Sequence, residues 1–161
     1  MDHKMFCFQC EQTACGTGCT GKAGVCGKKA DTAGLQDQLT GALIGLARST
    51  EGNGSSVTED THRLVMEALF ATLTNVNFDN DAIEELTRRV EEEKQRLAPD
   101  CSVCGSACGR KDNYDMEKLW NADEDIRSLK SLILFGVRGM AAYAYHAALL
   151  GSTDEKSNRF L

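Results

Sequence analysis

The chain has 161 residues, 18 Lys and Arg against 24 Asp and Glu for a formal charge of −6, a 42% hydrophobic and 26% charged composition, one proline and eight cysteines. That length predicts one domain with a core that needs no disulfide staples, and the composition excludes disordered and collagenous chains. The acidic balance argues against a general nucleic-acid binder, which needs a dense cationic face to displace phosphate counterions, and the single proline favours long helices.

Taken in chain order, residues 6 to 29 form a loop in which Gly16, Gly18, Gly21, Gly24 and Gly27 alternate with Cys7, Cys10, Cys15, Cys19 and Cys26. It is too rich in glycine for a helix and too short to bury a core of its own. From Asp31 to about Arg48, Leu35, Leu39, Ala42, Leu43 and Leu46 recur at helical spacing, and the Gly- and Ser-rich stretch 49–56 ends that helix. A second helix is predicted from Thr58, a capping residue followed by Glu59 and Asp60, with Leu64, Val65, Ala68, Leu69, Thr72 and Leu73 on its buried face. After a turn at 75–80 a third runs from Asp81 to Leu97, with Ile83, Leu86, Val90 and Leu97 inward and Glu91, Glu92 and Glu93 toward solvent.

Pro99 and Asp100 introduce a second cysteine loop carrying Cys101, Cys104 and Cys108. The last helix is predicted from Asp123, whose carboxylate, with Glu124 and Asp125, suits a cap and the positive helix end better than acid–base work. Trp120 just before it is expected to anchor a loop onto the bundle. The stretch from Leu129 to Leu150 contains Lys130, Arg138 and His146, whereas a membrane span needs about 20 nearly uncharged residues. It is therefore expected to be a buried amphipathic helix. His146 is expected to be structural, and Tyr143 and Tyr145 to divide between surface and core. The expected fold is all-α, a bundle of about four main helices over residues 30–161, packed with the cysteine loop at 1–29 and holding a second cysteine loop at 99–114.

Clustered thiols suggest metal ligation rather than a secreted disulfide framework, and the start Met1-Asp2-His3-Lys4-Met5-Phe6 has no apolar signal region. A cytoplasmic location is the expectation. The two-residue gap between Cys7 and Cys10 lets successive thiolates meet one centre, either tetrahedral zinc or an iron–sulfur cluster. Zinc sites usually pair two such knuckles, while a cluster tolerates irregular gaps. Glycine amides can donate to cluster sulfurs, and Lys22, Lys28 and Lys29 would offset anionic charge. Iron–sulfur is favoured, with zinc still open.

The string from Met5 to Ala14, followed by Gly16-Thr17-Gly18-Cys19-Thr20, Gly24-Val25-Cys26-Gly27-Lys28 and Gly34-Leu35-Gln36-Asp37, resembles the start of the hybrid cluster protein family, also called prismane proteins or hydroxylamine reductases. The likeness continues through residues 70–79, 121–129 and 136–147 and covers nearly the whole chain. It implies a cytoplasmic oxidoreductase whose first centre, a 4Fe-4S cluster in most members and 2Fe-2S in some, is held by Cys7, Cys10, Cys19 and Cys26. It also implies an electron-donating redox partner and a second, hybrid cluster that reduces hydroxylamine. The hybrid cluster's ligands have no matching positions here, so that cluster is not expected in this chain. No catalytic residue is assigned, and the chain alone is expected to be inactive. Residues 152–161 look like the start of a further helix, so the expectation is an N-terminal helical region, as a piece, a proteolytic product, or a split or shortened relative. The absent domains or another copy of the chain are then candidate partners, with no nucleic acid and no membrane.

Cys101, Cys104 and Cys108 offer three ligands, and Cys15 by arithmetic would be the fourth of a second metal or cluster. A non-ligating loop or adventitious zinc competes with that reading. Two alternatives from other classes are a zinc-stabilised helical interaction module and an independent ferredoxin-like carrier.

Overall fold

The computed structural model describes residues 5–10, 18–50, 57–73, 76–97 and 112–161. The remaining positions include Cys15, Cys101, Cys104 and Cys108, so the proposed second metal set lies outside the described residues. The described elements are helical: α1 (Ala30–Thr50), α2 (Glu59–Ala71), α3 (Asn80–Leu97), α4 (Met116–Trp120), α5 (Glu124–Leu149) and α6 (Glu155–Phe160). Among the described residues the only extended pairings are two isolated bridges in the cysteine loop. The all-α expectation holds, with four long helices and two short ones. α4 is too short to leave a periodic signature, and α6 is the helix anticipated after residue 152.

α1 packs mainly on α3, and α2 mainly on α5. The core between them holds Leu39, Ala42, Leu43 and Leu46 from α1, Leu64, Ala68 and Leu69 from α2, Ile83, Leu86, Val90 and Leu97 from α3, and Ala141 from α5. Burying these side chains supplies most of the bundle's stability, at roughly 25 cal/mol per Å² of apolar surface. The helix starts follow local chemistry. Thr58 accepts from the Thr61 amide at 3.3 Å while the Thr61 hydroxyl accepts from the Thr58 amide at 3.1 Å, a reciprocal cap. Asp123 accepts from the Asp125 amide at 3.0 Å, as its position suggested.

Two expectations need correction. Of the three glutamates, Glu92 is exposed and meets Arg88, but Glu91 is half-buried against Lys94, 2.6 Å away, and Glu93 is half-buried with Thr61 and Arg96. Lys94 is buried on the apolar side of α3, so the acidic partner turns inward with it. The larger correction concerns α5. Its buried residues are Ser131, Arg138 and Ala141, while Leu129, Leu132 and Ile133 are each more than 60% exposed. Periodicity identifies the apolar face of a helix and says nothing about whether another element covers it. By length and composition α5 is also apolar enough to cross a bilayer, yet it packs on α2 and turns Arg138 into the interior.

The segment 112–114 lies tightly on α1. The Tyr114 amide donates to the Gly41 carbonyl at 3.0 Å, and a β-carbon at Gly41 would collide with the Tyr114 carbonyl oxygen. The obstacle is backbone, so a side-chain rotation cannot relieve it. Gly41→Ala is therefore expected to destabilise the chain by about 2 kcal/mol despite alanine's better helix propensity. The urea midpoint measures this, and an unchanged or raised midpoint would refute it.

Candidate metal centre

Cys7 and Cys19 exchange both backbone hydrogen bonds, at 3.0 and 2.8 Å, and so form a directly opposed antiparallel pair. In such a pair the side chains leave the same face, with β-carbons about 5 Å apart. Gly18, at φ 113°, permits the approach, because a β-carbon there would press on the Phe6 ring. Both thiols are buried with Met5 and Ala33, which seats the pair on the first turn of α1. A second tight turn returns the chain through Cys26: the Gly24 amide donates to the Lys28 carbonyl at 2.8 Å, and the Gly27 amide, at φ 87°, donates to the Gly24 carbonyl at 2.9 Å. Cys10 and Cys26 are half-buried, and Cys7, Cys10, Cys19 and Cys26 are all free thiols.

The second turn drives Lys28 inward, where it is 1% exposed. Its ammonium donates to Gln36 Oε1 at 2.6 Å and Gln9 Oε1 at 3.2 Å, and lies 3.9 Å from Cys7 Sγ. Lys22 and Lys29 point to solvent, so of the three lysines named from the sequence one is built into the site. Burial pushes the Cys7 thiol up, and the neighbouring Lys28 charge opposes that shift.

Behind the lysine lies Asp37. Trp120 Nε1 donates to Asp37 Oδ2 at 2.9 Å, and the Trp120 ring meets Phe6 at 5.5 Å between centroids. Trp120 thus anchors the cysteine loop to the bundle, as anticipated. Burial raises the Asp37 carboxyl to about 6, with Trp120, Arg138 and Lys28 pulling the other way. His146 is on the surface, bonded to its own helix through the Ala142 carbonyl at 2.8 Å and set edge-on to Phe70. Tyr143 is exposed, as expected for one of the two, while Tyr145 is half-buried against Phe70 and not in the core.

The family model described as Prismane/CO dehydrogenase matches residues 5–161. The chain belongs to this family. It is 40% identical to a protein named hydroxylamine reductase from Desulfitobacterium hafniense (strain Y51), over 98% of this chain and 32% of that one. Proteins of the same name from Methanococcus vannielii and Desulfovibrio desulfuricans are each 38% identical, over 98% and 100% of this chain and 32% of each relative. The chain spans about a third of the length of these relatives. The resemblance read from the cysteine string is borne out at the level of the family.

The loop brings Cys7 and Cys19 together, but among the described residues no three of His, Cys, Asp and Glu gather closely enough to hold a metal ion. In chemistry and charge the donor set fits a thiolate-ligated cluster. Two thiols share one face, glycines line the turns, and a buried ammonium stands beside Cys7 without a carboxylate in ion-pair reach among the described residues. A buried cation calls for a buried anion, and a set of metal-bound thiolates is one. Gln9, Gln36, Asp37 and Arg138 had drawn no attention as site residues. All four lie inside the family-like stretches, Gln9 within 5–14, Gln36 and Asp37 within 34–37 and Arg138 within 136–147, where Arg138 is also a cation in an apolar helix.

Proposed function

We propose that this chain is the electron-relay region of a hydroxylamine reductase-type oxidoreductase and holds an iron–sulfur cluster on Cys7, Cys10, Cys19 and Cys26. The observation that carries this reading is the buried Lys28 ammonium beside the Cys7–Cys19 pair. When bound, the cluster supplies a one-electron carrier, of the 4Fe-4S type with 2Fe-2S as the alternative. The chain's own residues do the rest. Cys7 and Cys19 are held in register by their backbone bonds, Lys28 offsets thiolate charge, and the Phe6–Trp120 contact ties the loop to the bundle. Hydroxylamine reduction would need the parts of the relatives beyond the third matched here, so the chain alone should not turn over. The partner expected is a protein electron donor in the cytoplasm.

Metal and sulfide analysis of anaerobically isolated protein tests this. The expected result is a brown preparation with iron and acid-labile sulfide in comparable amounts. Colourless protein containing zinc and no sulfide would instead establish the structural zinc module. The variants Cys15→Ala and Cys104→Ala bear on the second set, and unchanged iron, sulfide and zinc in both would remove it.

A further inference from the structure

Arg138 of α5 is 2% exposed and, like Lys28, has no carboxylate oxygen within 4.0 Å among the described residues. Lys94 shows the contrast, since it is also buried but has Glu91 at 2.6 Å. A continuous line of polar contacts joins the two unpaired cations. Arg138 Nη2 donates to Thr40 Oγ1 at 3.0 Å and its Nε donates to Thr72 Oγ1 at 2.9 Å. The Thr40 hydroxyl donates to the Gln36 carbonyl at 2.8 Å, and the Gln36 side chain accepts from Lys28, which reaches Cys7. The nearby Asp37 supplies one carboxylate against two cations: its Oδ2 accepts from Trp120, its Oδ1 is buried without a hydrogen-bond partner among the described residues, and its charge is felt by both Arg138 and Lys28. The interior beside the cysteine loop is therefore left with an excess of positive charge, a costly arrangement for a neutral loop of thiols.

We propose that Arg138 is a positioning residue for the metal centre: with Lys28 it forms a buried pair of counter-charges that stabilises an anionic thiolate-ligated group at Cys7 and Cys19 and raises its reduction potential. This rests on the reading above. Burial lowers the guanidinium only to about 10, so it is charged at neutral pH. The charges of Asp37 and Cys7 both act to keep it so. On reduction a donor loses one electron and the centre's net charge becomes more negative by one, with no bond made or broken. Both cations favour the reduced form by simple Coulomb attraction.

The test compares the 161-residue chain with Arg138→Gln, which keeps donors for the threonine hydroxyls without the charge, Arg138→Lys, which keeps the charge, and Lys28→Met. In the metal-free state the two neutralised variants are expected to melt at or above the parent temperature, because an uncompensated buried charge has gone. In the loaded state they are expected to lose iron faster and to be at least about tenfold harder to reduce, about 59 mV lower for a one-electron couple. Arg138→Lys should stay within about threefold of the parent. Equal destabilisation of both states with an unchanged potential would show that Arg138 merely ties α5 to α1 and α2, and would overturn the proposal. Iron uptake with unaltered potentials removes this inference alone, whereas a chain that takes up no iron removes both it and the proposed function.

Discussion

Alanine at Cys7 is expected to cut iron and sulfide uptake by more than about tenfold while leaving the helical bundle folded. Cys7 is one half of the opposed pair, and its thiol is the one beside Lys28. A metal needs the thiolate, yet burial resists that ionisation. Lys28 and the metal together must supply the missing stabilisation, and removing the sulfur leaves the ammonium, among the described residues, with only the neutral Gln36 and Gln9 oxygens as hydrogen-bond acceptors. The bundle's main core does not include Cys7, which belongs to the small cluster with Met5, Cys19 and Ala33. The metal-free variant should therefore lose only on the order of 1 kcal/mol for the buried atom removed. Cys19→Ala should behave alike. Parent levels of iron and sulfide in Cys7→Ala, with far-ultraviolet dichroism confirming the fold, would sink the ligand assignment.

The metal-free chain should also become less stable as pH rises from about 4 to about 6, on account of Asp37. Burial raises this carboxyl from 3.8 to about 6 in the folded chain. Between those values the folded state holds a proton that the unfolded state has lost. The contribution is thus fully present below pH 3.8 and is lost as pH climbs through 6. At about 1.36 kcal/mol per pH unit the loss is on the order of 3 kcal/mol. Asp31, Glu85, Glu93 and Asp154 are shifted the opposite way, so they lose stability at more acidic pH and act equally in an Asp37 variant. Asp37→Asn keeps an oxygen for Trp120 and removes the titration. Urea unfolding at pH 4.5 and pH 7 should show the parent losing stability relative to Asp37→Asn. Parallel pH profiles would mean that Lys28 and Arg138 already hold Asp37 ionised.

Much of the bundle was legible because helix formation is local. Ile83, Leu86, Val90 and Leu97 repeat at a spacing that puts them on one face, and all four are buried. Thr58 and Asp123 cap through amides two or three residues away, which any reader of the sequence can count. Cys7, Cys10, Cys19 and Cys26 were legible as candidates for the same reason, their spacing and the family-like string around them. The choice among Lys22, Lys28 and Lys29 was not, because it depends on a turn that faces one of them toward Gln36 and Gln9. Nor was the exposure of Leu132 and Ile133, since an apolar stripe looks the same whether or not a neighbour covers it.

The sequence alone therefore determined the all-α class, the long helices, the caps at Thr58 and Asp123, and the cysteine-rich loop as the candidate site, all of which follow from chemistry within a few residues. Only the tertiary structure decided where the charge lies. Lys28 meets Cys7 across 21 residues and Arg138 meets Thr40 across 98, and no local pattern encodes either contact. Whether a cation is solvated or buried depends on how the helices pack, and that packing gives the cysteine loop on α1 a charged partner on α5.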